Sequence, residues 1–285
     1  MSNWIRKPSA KTGDGMAIRE KQGVTYLAFP VLEALPLVSH SFSTRLGGVS
    51  EGIYSTMNFT FTRGDNHSHV MENYRRMARV LGVDAEKMVL SYQTHTTNVR
   101  IVTEADEGKG IVRERDYRDV DGMVTNVPGI TLVTFYADCV PLYLVDPVHR
   151  AIGLSHSGWR GTVNRMGQKT LEAMEKEYGT KPSDVICCIG PSICQDCFEV
   201  GEEVAEAFQA AFSERYHREL FYRKENGKYQ LDLWRANQII FAEAGVREEH
   251  IHTTDICTHC NPELLFSHRT VGDKRGNLAA FLCLK

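Results

Sequence analysis

TLVTFYADCVPLYLVDPVHRAIGLSHSGWR, residues 131–160, contains two apolar runs that each end on residues a core would not choose. The first, Leu132 to Ala137, delivers Asp138 and Cys139. The second, Ala151 to Leu154, delivers Ser155, His156, Ser157 and Gly158, with Trp159 and Arg160 behind. β-Branched and aromatic runs bounded by turn residues predict buried strands. Cysteine and histidine at strand ends, beside glycine, predict a site built on rigid elements. The same pair suits two chemistries: neutral imidazole and thiolate are zinc ligands, and they are also the base and nucleophile of a thiol hydrolase.

Outward from this stretch, the pattern alternates helix and strand. Strands are predicted at Val24 to Phe29, Met88 to Ser91, Val99 to Val102, Met123 to Val127, Val185 to Ile189, Ile251 to Thr254, Leu265 to His268 and Leu278 to Leu284. Helices are predicted from His67 to Leu81 with Gly82 as stop, from Val163 to Tyr178 before Gly179, from Glu202 to Phe212, and from Leu233 to Ala244 before Gly245. Phe221 to Leu231 reads as a hairpin turning at Asn226-Gly227. Ser41 to Asn58, SFSTRLGGVSEGIYSTMN, reads as a glycine- and hydroxyl-rich loop carrying Arg45, a composition suited to anions. Residues 1–16 read as a loosely ordered lead and 17–285 as one α/β domain of mixed strand direction, since no repeat or low-complexity linker divides the chain.

The bulk numbers narrow the class. A chain of 285 residues with 42% hydrophobic and 24% charged residues is an ordinary globular composition with ample length for a core. A net charge of −3 gives no basic field for nucleic acid. The apolar runs fall far short of the roughly 18 residues a membrane span needs. The polar start MSNWIRKPSAKTGDG has no apolar signal core, so a cytoplasmic location is expected. The eight cysteines are then expected to be reduced, free for metal, catalysis or burial.

Four constellations carry chemistry. His95, Cys139 and His156 would give zinc three ligands and leave a fourth position open, as in catalytic sites. Their intervals of 44 and 17 residues match no short metal motif. Alternatively, Cys139 is a nucleophile, His156 its base and Asp138 an orienter, although strand neighbours point to opposite faces. Two CxxC pairs, Cys194/Cys197 and Cys257/Cys260, are of the structural-zinc type, though 59 residues apart. The HxH pairs His67/His69 and His250/His252 are too few, and lack the HCH segment, for a classical multicopper oxidase.

STRLGGVS, QTHTTNV, DGMVTN, ADCVPLYLVD, HSGWRGTV, IGPSICQDCFEVGEEV and FSHRTVGDKRGNLAAFLCL occur in this order. With these seven motifs, from about Phe29 to the C-terminus, the chain resembles the YfiH/YlmD-type proteins. These are also called laccase-domain proteins and purine nucleoside phosphorylases. The resemblance implies a single α/β domain with layered sheets flanked by helices, an α/β/β/α-type sandwich. It implies zinc, with copper as the alternative ion, on His95, Cys139 and His156, which also form the catalytic set. It places Ser43 and Arg45 against nucleoside or phosphate, with Asn58 closing that loop. It implies phosphorolysis of adenosine, inosine, guanosine and S-methyl-5'-thioadenosine, and deamination of adenosine; zinc deaminases add a carboxylate proton shuttle, for which Asp138 is the nearest candidate in sequence. A Cys139/His156 amidase acting on peptidoglycan precursors, a copper polyphenol oxidase and a zinc-bearing interaction protein are the competing readings. One departure stands out: SICQDCFEV replaces the family's usual IGPCCYEV-like run and adds the spaced pair Cys194 and Cys197.

Overall fold

The computed structural model describes residues 3–7 and 15–285; residues 1–2 and 8–14, part of the expected lead, lie outside the described residues. Two six-stranded mixed sheets lie face to face. In the first, the order is Ala17–Lys21, Val24–Ala28, Val38–Ser43, Leu278–Leu284, Thr131–Tyr136 and Met88–Leu90. In the second it is Ile251–Thr253, Ile186–Ile189, Val140–Asp146, Ala151–Ser157, Gly122–Thr125 and Val99–Ile101. A small third sheet joins Glu199–Val200, Tyr229–Leu231 and Phe221–Arg223.

The strand alternation explains the layers. Leu132, Tyr136, Ala280 and Leu282 from the first sheet meet Tyr143, Val145, Ile152 and Leu154 from the second in one core. The opposite side of the first sheet, through Val133, Ala279 and Phe281, packs on Val70, Tyr74 and Met77 of helix His67–Leu81. The opposite side of the second, through Leu142, Leu144 and Cys187, packs on Leu171, Met174, Phe208, Ile240 and Phe241. Those five come from helices Met166–Tyr178, Glu202–Ala211 and Leu233–Glu243. Both faces of each sheet are therefore dry, which is why the central strands are apolar throughout rather than alternating. The result is the α/β/β/α sandwich.

Several local expectations change. Val140–Asp146 forms a full strand, pairing from Val140↔Ser157 to Asp146↔Ala151. Pro141 argues against a central strand, yet it lies one residue before the pairing with Ile186–Ile189 begins at Leu142↔Ile189, so its missing N–H breaks no ladder on that side. Val38–Ser43 takes the start of the expected glycine-rich loop into a central strand. The helix expected from Val163 breaks at Arg165, whose φ of 61° ends one short helix before the next begins. Leu265 to His268 is not a strand; Ser267 there accepts from the Thr270 N–H and starts the short helix His268–Val271. The described part of the lead is seated rather than loose. Arg6 bridges to Ile256, the Lys7 N–H donates to the Asp255 carbonyl at 2.8 Å, and Met16 is buried.

Candidate active site and metal centre

Three chain segments bring the site together. Strand Thr131–Tyr136 ends in a turn at Asp138, whose φ of 87° is rare for a residue with a side chain, and presents Cys139. Strand Ala151–Ser157 presents His156 from its buried end. The turn after Met88–Leu90 presents His95, also at positive φ (66°). Gln93 fastens that turn to the sheet: its Oε1 accepts from the Phe135 N–H at 2.7 Å and its Nε2 donates to the Phe135 carbonyl at 2.9 Å.

The ligand atoms of His95, Cys139 and His156 all lie within 4.8 Å of one another, with Cys139 Sγ 4.0 Å from His95 Nε2. A tetrahedral zinc with ordinary bond lengths would hold such atoms about 3.3–3.6 Å apart, so a contraction of at most about 1 Å closes the set. Gly158 makes the approach possible. A Cβ there would sit 3.0 Å from Cys139 Sγ and 3.2 Å from His95 Cδ2.

Asp121 organises the two imidazoles. Its fully buried carboxylate takes the His156 Nδ1–H at 2.8 Å and the His95 backbone N–H at 3.1 Å on Oδ1. Oδ2 takes the Thr94 and Thr96 N–H groups and the Thr96 hydroxyl, each at 3.0 Å. Burial raises the Asp121 carboxyl, but these donors, His156 foremost, hold it below its ordinary value. With Nδ1 committed, His156 turns Nε2 toward Cys139 and His95, the carboxylate–histidine arrangement that orients metal ligands. Burial pushes the Cys139 thiol up; the charge of His156 and hydrogen bonds from both histidines outweigh it and bring it down to about 6. Burial likewise lowers His156, but Cys139 and Asp121 raise it to about 9. The pair therefore favours thiolate beside imidazolium when no metal is bound.

The three residues line a cavity of about 660 Å³ together with Phe61, Tyr92, Phe135, Tyr136, Trp159 and Phe198. Arg63, Arg115, Arg269 and Arg275 bring positive charge to its wall, against Asp138 and Asp273. Arg275 is 7% exposed, its Nε has no partner, and burial pushes its guanidinium down to about 10.

The other expected site residues are spent elsewhere. Ser43 Oγ accepts from the Ala279 N–H at 2.9 Å inside the sheet. Arg45 donates to the Ser55 and Pro262 carbonyls at 2.9 and 2.8 Å and stacks over Phe266. Asn58 holds Thr60, Asp65 and Asn277. None of the three is among the residues lining this cavity. Asp138 does line the cavity. Its carboxylate, however, already accepts from the Thr258 hydroxyl at 2.6 Å and the Arg269 N–H at 2.7 Å, which suits fixing the Cys139 turn better than shuttling protons. Asp121 and Gln93 were not legible as site residues, and neither was Arg275. Asp121 stood in an Asp-Gly turn signal, and its partners lie 25–35 residues away.

A mixed four-layer sandwich with two histidines and a cysteine gathered under an aromatic and arginine-lined cavity defines a class of α/β scaffold whose site could hold a transition metal. The chain belongs to the family described as multi-copper polyphenol oxidoreductase laccase, whose profile matches residues 39–285. It is 38% identical to a purine nucleoside phosphorylase of Bacteroides thetaiotaomicron over 253 residues, covering 88% of this chain and 93% of that one. It is 33% identical to the purine nucleoside phosphorylase YlmD of Bacillus subtilis, covering 86% and 87%. It is 36% identical to the adenosine deaminase RL5 of an unknown prokaryotic organism, covering 83% and 90%. Among solved structures, YfiH of Bacillus licheniformis superposes with a TM-score of 0.88 at 29% identity, covering 94% of this chain and 99% of that one. No helix among the described residues is long and apolar enough to cross a membrane.

Proposed function

We propose that the chain is a zinc-dependent purine nucleoside phosphorylase acting on adenosine, inosine, guanosine and S-methyl-5'-thioadenosine, with adenosine deamination as a second reaction of the same site. The observation that carries this reading is the convergence of His95, Cys139 and His156, ordered by Asp121, inside the aromatic cavity. The names of the relatives support it. Two imidazoles and a thiolate suit zinc with one open position. Copper accepts the same donors, and metal analysis of the purified protein separates the two. A multicopper oxidase would need further imidazoles gathered nearby. Among the described residues, His67, His69, His250 and His252 join no such group.

In phosphorolysis a phosphate oxygen attacks the sugar carbon C1' as its bond to the purine nitrogen breaks, and the electron pair leaves on the base. Phe61, Tyr92, Phe135 and Trp159 offer faces on which a purine stacks. Arg275 supplies an unpaired, desolvated donor, and Arg63 and Arg269 add charge, so phosphate oxygens would be held where water competes least. When bound, the ion would supply Lewis acidity for polarising a leaving group or acidifying a water. The test is product analysis from adenosine and inosine with and without phosphate. Adenine and hypoxanthine appearing only with phosphate support the reading; no purine release under any metal loading overturns it.

The thiolate–imidazolium pair of Cys139 and His156 favours one competing reading, a cysteine amidase. Amide cleavage that persists after metal removal would establish it.

A further inference from the structure

Beyond the C-terminal ends of strands Ile186–Ile189 and Ile251–Thr253, two CxxC turns face each other. Ser192 pairs with Cys257 in a parallel bridge, and the Thr258 N–H donates to the Ser192 carbonyl at 3.1 Å, so the two turns lie side by side. The first turn closes on itself through the Cys197 and Phe198 N–H groups, both donating to the Cys194 carbonyl at 3.0 Å. The sulfurs of Cys194, Cys197, Cys257 and Cys260 lie within 4.8 Å of one another. Four thiolates around a tetrahedral zinc sit about 3.8 Å apart, and Cys197 and Cys260 are already at 3.4 Å. A disulfide needs about 2.05 Å, and all eight cysteines are free. The Cys194 N–H also points at Cys257 Sγ at 3.3 Å, a donor that favours a thiolate over a thiol. Cys194 and Cys257 are buried and the other two half-buried, so an ion there would be closed to solvent on most sides.

We propose that Cys194, Cys197, Cys257 and Cys260 bind a second zinc ion, structural in role and separate from the His95/Cys139/His156 centre. Four sulfur ligands fill the tetrahedron and leave no position for substrate, so this ion does no chemistry. It clamps the frame of the first site. Between the two turns the Ile193 N–H donates to the Asp138 carbonyl at 3.0 Å and the Thr258 hydroxyl to the Asp138 carboxylate at 2.6 Å. Both bonds hold the residue that aims Cys139. The second turn also anchors the N-terminal strap, through Asn261, which exchanges hydrogen bonds with the Ile5 backbone at 2.8 and 3.0 Å. The proposal stands independently of the purine reading.

Metal stoichiometry of the reduced full-length protein tests it. Wild type loaded with zinc should hold two ions per chain, and Cys139→Ala one. X-ray absorption on Cys139→Ala should show four sulfur neighbours at about 2.3 Å. Cys257→Ser/Cys260→Ser should lose one ion and roughly 5–10 °C of Tm. If that variant fails to fold, cobalt loading of Cys139→Ala still decides the matter through a thiolate-to-metal charge-transfer band. A Cys139→Ala protein that takes up no ion overturns the proposal. So does a denatured, chelator-treated wild type with four rather than eight titratable thiols, which would mean two disulfides.

Discussion

Replacing Asp121 by asparagine changes one atom and asks whether the site depends on the tautomer of His156. Oδ2 of Asp121 receives three donors and Oδ1 receives two. An asparagine would keep its single oxygen on the three-donor side and turn its NH₂ toward His156 Nδ1 and the His95 N–H. His156 relieves that clash by moving its proton to Nε2, which removes the lone pair that faces Cys139 and His95. Loss of such an outer partner typically costs 10–100-fold in metal affinity, about 1.4–2.8 kcal/mol. Competition of the Asp121→Asn protein against a zinc chelator should show that loss, and kcat should fall even at saturating zinc. The fold should survive, since the donors on Oδ2 keep their acceptor. Zinc affinity within twofold of wild type would refute the claim that Asp121 sets the imidazole.

Gly158→Ala should weaken zinc binding severalfold by pushing on Cys139 Sγ at 3.0 Å and the His95 ring at 3.2 Å; chelator competition reads it, and unchanged affinity would show the turn can yield. Arg275→Gln should raise the KM for phosphate at least tenfold with little change in that for nucleoside. Arg45→Ala should lower Tm and leave the phosphate KM alone, because Arg45 serves the Ser55 and Pro262 carbonyls. His40 Nε2 accepts from the Phe29 N–H at 2.8 Å, and burial pushes its pKa down to about 3, below the unfolded value near 6.5. The unfolded chain therefore binds the proton first: His40 costs nothing above pH 6.5, and its contribution is lost as pH falls toward 3, by up to about 1.4 kcal/mol per unit. Denaturant titrations at pH 6.5 and 5 should show up to about 2 kcal/mol more loss in wild type than in His40→Gln; parallel losses would remove His40 from the acid response.

What the sequence shows well is what is local. The helix His67–Leu81 has its cap at Asn66, its apolar stripe and its stop at Gly82 within one window, and it forms as read. Cys139 and His156 announce themselves because a strand ending on a ligand residue is unusual chemistry for a core. The loop Ser41 to Asn58 with Arg45 read as an anion loop by composition, and the family resemblance set Ser43, Arg45 and Asn58 against ligand, but a central strand and its neighbours take up their hydrogen bonds. Composition cannot tell a hydroxyl offered to a substrate from one spent on the next strand. Asp121 was hidden for the reverse reason: its partners are gathered by folding, and its local context is that of any turn.

The four-cysteine cluster and the His95/Cys139/His156 centre are joined through Asp138, and this gives its strained backbone a rationale. A non-glycine residue at φ 87° costs of order 1–3 kcal/mol and persists only if its surroundings fix it. Here the fixing groups are Ile193 N–H, Thr258 hydroxyl and Arg269 N–H, three bonds from two distant segments. Two of the three are on or beside the CxxC turns. Thr258→Val, which deletes one bond and replaces no ligand residue, should therefore let the Asp138 turn relax and move Cys139. The expected result is a severalfold drop in zinc affinity at the His95/Cys139/His156 centre with two ions still bound at saturation. A variant with unchanged affinity would mean that the turn holds its shape from the sheet alone, and that the second centre has no hand in aiming the first.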